Sequence, residues 1–136
     1  MSKKIMIVQS IPEWLSIFKS IILLELPRLA GDVIYTDSFD EAVDLTPLAC
    51  ELVVISSEMF HDKSSQYREL HGEIIPDDEK SGANLAEIVK ALNPNSKFFV
   101  FSQYEPEKSE FIDGFIQKHQ FGNIYTDDVL KVLTKI

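Results

Sequence analysis

An α/β fold, a five-stranded parallel sheet covered by helices on both faces, is what this sequence predicts, and three observations predict it. Short continuous apolar runs, as in strands buried on both faces, recur at residues 4–9, 51–56 and 97–102. Between them lie stretches whose apolar residues repeat at three- and four-residue steps, the period of a one-sided helix. The two periods alternate through most of the chain, as they do in βαβ units.

The elements follow in order. Residues 4–9 read as the first strand. Pro12 suits the first turn of a helix with Ser10 as its cap, and Trp14, Leu15, Phe18, Ile21, Ile22, Leu26 and Leu29 form its apolar stripe. Pro27 perturbs or ends that helix and Gly31 closes the segment. Residues 32–36 make a second strand, and Asp37 or Ser38 caps a short helix carrying Phe39, Ala42, Val43 and Leu45, interrupted by Pro47. The third strand is 51–56. Ser81 and Gly82 precede a helix with Leu85, Ile88, Val89 and Leu92 on its apolar face, and Asn93-Pro94-Asn95 stops it. The fourth strand, 97–102, is rich in phenylalanine. Phe111, Ile112, Phe115 and Ile116 mark a fourth helix, residues 122–126 a fifth strand, and Asp127 or Asp128 caps a short last helix. The expected arrangement is doubly wound and flavodoxin-like, strand order 2-1-3-4-5, in a single domain over 1–136. One segment breaks the alternation. Residues 57–80 are polar and too long for an ordinary connection, and read as a loop or lid or as a short extra helix.

Composition limits the functions on offer. A chain of 136 residues with 45% apolar content and nine phenylalanines can bury a core without metals or disulfides. The one cysteine, Cys50, is expected to be a small buried residue, and an unpaired thiol suits the cytoplasm. No apolar run is long enough for a signal-peptide core or a membrane span. A formal charge of −9 argues against direct nucleic-acid binding. Residues 32–51 hold six acids and no base, a solvated acidic surface or a docking face for a basic partner.

Catalytic motifs are missing. His61, His71 and His119 match no zinc spacing and read as solvated loop residues. No Gly-x-Gly-x-x-Gly follows the first strand, so a dinucleotide site would lack its phosphate-binding turn. A crevice at the carboxyl ends of the strands, lined by Tyr104 and Tyr125, leaves a small-ligand-binding domain as the alternative reading.

The runs at 4–8 and 51–55, and the segment 81–95 with the strand after it, resemble the receiver domains of two-component response regulators, over nearly the full length. In that family an acidic pair after the first strand and an aspartate ending the third hold magnesium, and the aspartate accepts the phosphoryl group. Here the pair falls on Gln9 and Ser10 and the acceptor on Ser56, all neutral. Magnesium wants hard oxygen ligands, normally including carboxylates, so the resemblance implies no metal, no cofactor and no catalytic residue. It matches the hydroxyl residue of the fourth strand to Ser102, the usual lysine at the end of the fifth strand to Asp127, and the aromatic of that strand to Tyr125. A misaligned acceptor at Glu58 or Asp62, or a serine phosphosite at Ser56 or Ser57, is a weaker reading. The resemblance thus implies a non-enzymatic pseudo-receiver working through protein–protein contact. Its surface is expected over residues 110–136, with Phe111, Phe115, Tyr125 and Asp128 as candidate contacts. The partner is expected to be another signalling protein or a second copy, since no output domain follows.

Overall fold

The structure is a computed structural model and describes residues 5–9, 11–48, 52–57, 82–102, 105, 108–117 and 126–133, with backbone only at 48 and 126–128. Its strands are β1 (Ile5–Val8), β2 (Val33–Thr36), β3 (Val53–Ser57), β4 (Lys97–Ser102) and β5 (Gly114–Gln117). Its helices are α1 (Pro12–Glu25), α2 (Phe39–Leu45), α3 (Gly82–Leu92) and α4 (Thr126–Leu133). The strands form one parallel sheet in the order β2-β1-β3-β4-β5, the flavodoxin-like order.

Local chemistry sets the helix ends. Pro12 opens α1, where a missing N–H costs nothing, but the cap residue is Ile11, without a side-chain bond. Pro27 ends the helix: α1 stops at Glu25 and a 3-10 segment, Pro27–Asp32, carries the chain to β2. Ser38 caps α2, its Oγ accepting from the Glu41 N–H at 3.2 Å. After α3 the Asn93 N–H bonds back to the Val89 carbonyl, and Pro94 and Asn95 turn the chain into β4.

Alternation along the strands sorts side chains into two cores. On the first face Ile5, Ile7, Ile55, Phe101 and Ile116 meet α1 through Trp14, Phe18 and Ile22, and α4 through Val129 and Leu133. The Trp14 and Phe18 rings stand edge-on to Phe101 at 4.9 and 5.1 Å between centroids. On the second face Met6, Val8, Val54, Phe98 and Val100 pack under α2 and α3 through Ala42, Leu85, Ala86 and Val89.

The chain after β4 departs from expectation. Residues 111–116 do not form a helix: Glu110 and Phe111 make a turn, and Gly114–Gln117 is the fifth strand, paired with β4 from Phe99↔Gly114 to Ser102↔Gln117. Of the strand expected at 122–126, residues 122–125 lie outside the described residues, and Thr126 already begins α4. Side-chain chemistry explains the choice. Asp113 accepts at Oδ2 from the Phe98 N–H and from Lys90 Nζ, both at 2.8 Å, while its own N–H donates to the Phe98 carbonyl. That pins the approach to β5 against the start of β4. Phe111 and Ile112 then pack against the second core from the turn that precedes β5, where the Ile112 N–H donates to the Ser109 carbonyl at 3.3 Å. Gly114 admits the Phe99 ring, which would stand 3.2 Å from a Cβ there.

Candidate functional site at the strand ends

The carboxyl ends of β1, β3 and β4 meet in a buried polar cluster without formal charge among the described residues. Gln9 follows β1 and is 1% exposed; Ser56, Ser57 and Ser102 close β3 and β4 and are buried as well. The Gln9 N–H donates to the Thr36 carbonyl at 3.0 Å, which fixes its backbone beside β2. Its side chain reaches across to β3: Oε1 accepts from Ser57 Oγ at 3.1 Å, and Nε2 lies 3.5 Å from the Ile55 carbonyl, a long contact. Ser56 Oγ donates to the Ser57 carbonyl at 3.0 Å. Ser56 stands opposite Val8 and Val100 in the register, and Ser57 opposite Phe101.

The pleat decides which of these can cooperate. Gln9 continues the parity of Ile5 and Ile7 and so leans to the first face, where Ser57 follows Ile55. Ser56 and Ser102 follow Val54 and Val100 on the second face. The structure therefore joins Gln9 to Ser57, not to Ser56. Ser57, read from sequence as the first loop residue, is the last residue of β3. A strand one residue longer on the same alternation is the signal that would have found it.

Magnesium does not fit these residues. Gln9 Oε1 is committed to the Ser57 hydroxyl, Ser56 Oγ to a backbone carbonyl, and among the described residues no carboxylate stands with them. Among the described residues no group of three His, Cys, Asp or Glu comes together.

Asp127 does not end the fifth strand. It lies in the first turn of α4, and the residue that follows β5 in sequence is Lys118. With β5 at Gly114–Gln117, Asp127 is not a strand-end residue, and no lysine is replaced by an acid there. Asp128 is also in α4, with its side chain outside the described set. Ser10 and Tyr125 lie outside the described residues, as do Cys50, residues 58–80 with Glu58, Asp62 and two of the histidines, Tyr104, Lys118 and His119.

Of the expected contact residues, Phe111 is drawn in against the second core. Phe115, opposite Val100 on edge strand β5, remains 36% exposed. A cleft of about 360 Å³ opens beside it, lined among others by Glu105, Lys108, Glu110 and Ile112. Asp113 at its border titrates low. Burial pushes its pKa up, but the hydrogen bonds from Lys90 and the Phe98 N–H, with the charges of Lys90 and Lys97, outweigh this.

No helix among the described residues is long and apolar enough to cross a membrane. No protein-family model matches the chain, and no curated protein matches it. Fold and site together define a doubly wound α/β domain whose described strand ends, at the edge where such folds bind ligands, carry neutral buried side chains, with Gln9 bonded to Ser57.

Proposed function

We infer that the protein is a pseudo-receiver, a cytoplasmic signalling module that works by protein–protein contact and carries out no phosphoryl transfer. The observation that carries this reading is the buried Gln9–Ser57 pair with Ser56 beside it. Phosphoryl transfer of the receiver type needs a nucleophilic carboxylate and a cation to offset the charge that gathers on the phosphoryl oxygens. Gln9 and Ser56 supply neither. With Ser10 in sequence they make three neutral residues where the resembled family has acids, and the cation at Lys118 does not supply the missing nucleophile.

The interaction surface belongs to the β5 side. There Phe115 and Ile112 give an apolar centre, and Glu105, Lys108, Glu110 and Asp113 a charged rim with more acids than bases, the anatomy of a protein contact. With the pocket unable to switch, that surface is presented constitutively.

Incubation with magnesium and a small-molecule phosphodonor such as acetyl phosphate, followed by intact mass spectrometry, tests the reading. The mass is expected to stay unchanged. Stoichiometric gain of one phosphoryl group, labile to hydroxylamine as an acyl phosphate is, would overturn it.

A further inference from the structure

Helix α1 carries more apolar surface than the first core uses. Trp14, Phe18 and Ile22 are its buried residues. To one side of that stripe, Ile17, Ile21 and Leu24 follow one another at helical spacing and make a second ridge. Ile17 and Ile21 are half-buried, whereas Leu24 is 80% exposed, the most exposed large apolar residue among those described. A shallow cleft of about 290 Å³ runs along this ridge, shared with Ser16, Ser20 and Glu25. Ser20 Oγ donates to the Ser16 carbonyl at 3.0 Å, so the hydroxyl beside the ridge is already satisfied. Charge is placed at both ends of the ridge. Glu13, exposed in the first turn, lies one turn before Ile17, and Arg28, also exposed, lies just beyond the end of α1.

We propose that this ridge is the interface of a homodimer in which α1 of one copy packs antiparallel on α1 of a second. The axis passes between Ser20 and Ile21. Ile17 of each copy meets Leu24 of the other, Ile21 enters the hollow at Ser20, and Glu13 faces Arg28 twice. The charges select this direction. A parallel pairing would set Glu13 against Glu13 and Arg28 against Arg28. Antiparallel pairing is also what a two-fold axis across the helix produces, with the same patch used by both copies. It removes Leu24 from water in both copies, and Glu13 and Arg28 would form a polar rim around an apolar centre.

Size sets the strength. A 14-residue helix is about 21 Å long, and two such helices bury well under the roughly 800 Å² per partner of a standard interface. The dimer is therefore expected at the weak, transient end of protein contacts. The ridge lies on the α1 side of the sheet, while Phe115 shares the other face with Val100, so self-association and the β5 contact are independent.

Sedimentation equilibrium of the full chain, from about 1 to 300 μM, reads the proposal directly. The weight-average mass is expected to rise from one chain toward two across that range. Leu24→Glu should leave a monomer throughout, with an unchanged circular dichroism spectrum since Leu24 is a surface residue. Glu13→Arg or Arg28→Glu alone should weaken association about tenfold, and the two together should restore it. A chain that stays monomeric at every concentration, a dimer indifferent to Leu24→Glu, or a double reversal that fails to rescue would each overturn the proposal.

Discussion

Gln9 is buried among apolar strands without an unmet demand on its carbonyl, because Ser57 donates to it across β1 and β3. Two neutral groups that satisfy each other contribute modestly when paired and are costly when separated. A double-mutant cycle of Gln9→Leu and Ser57→Ala, followed by urea unfolding, should give a coupling of about 1 kcal/mol. Additivity within about 0.3 kcal/mol would mean that the pair contributes nothing. Asp113 makes a second prediction at this scale, set by its lowered pKa. A carboxylate held low in the folded chain contributes stability above its ordinary unfolded value, near 4, and that contribution is lost as pH falls through the lower folded value. Asp113→Asn should therefore lower the urea midpoint at pH 7 and match the parent chain at the acid end, where Asp113 is protonated. An equal deficit at both pH values would assign the loss to packing, not to charge.

At the scale of elements, the periodicity carried the reading as far as β4. The buried runs placed β1, β3 and β4, Ser38 and Pro27 placed helix ends, and the Asn93-Pro94-Asn95 stop held. The failure came at Phe111, Ile112, Phe115 and Ile116, whose spacing satisfies one helical face and also a turn leading into a short strand. Four residues of strand are too few for alternation to decide. The deciding facts are tertiary: Asp113 bonded to Phe98 on β4, and Gly114 lying under the Phe99 ring. Moving β5 forward then moved Asp127 into α4, so one misread element changed the description of the site. Gly114→Ala separates the two descriptions by sign. In a helix it would stabilise by about 1 kcal/mol. In β5, with a methyl carbon 3.2 Å from Phe99, it should destabilise by about 1 kcal/mol or more. Thermal unfolding of the variant gives the sign.

For the molecule as a whole, the two faces of the sheet are finished differently. α1 and α4 cover the first face over a core centred on Phe101. The second has α2 and α3, with Phe111 and Ile112 packed against it from the turn before β5, and Phe115 partly open at the edge strand. The strand order was legible in the sequence because buried parallel strands announce themselves. Burial of Ser56 and Ser102 at the strand ends was legible for the same reason, since both stand at the end of apolar runs. The bond between Gln9 and Ser57 was not, because it depends on how far β3 extends. On the function proposed above, the molecule offers a fixed surface and an inert strand-end pocket.

Amide NMR titration of the chain with magnesium, then with beryllofluoride as a mimic of an aspartyl phosphate, tests that claim most directly. The account predicts no saturable shift at Gln9, Ser56, Ser57 or Ser102, and none relayed to Phe115. Saturable shifts at those strand ends that spread to β5 would show a working phosphoryl switch and contradict it.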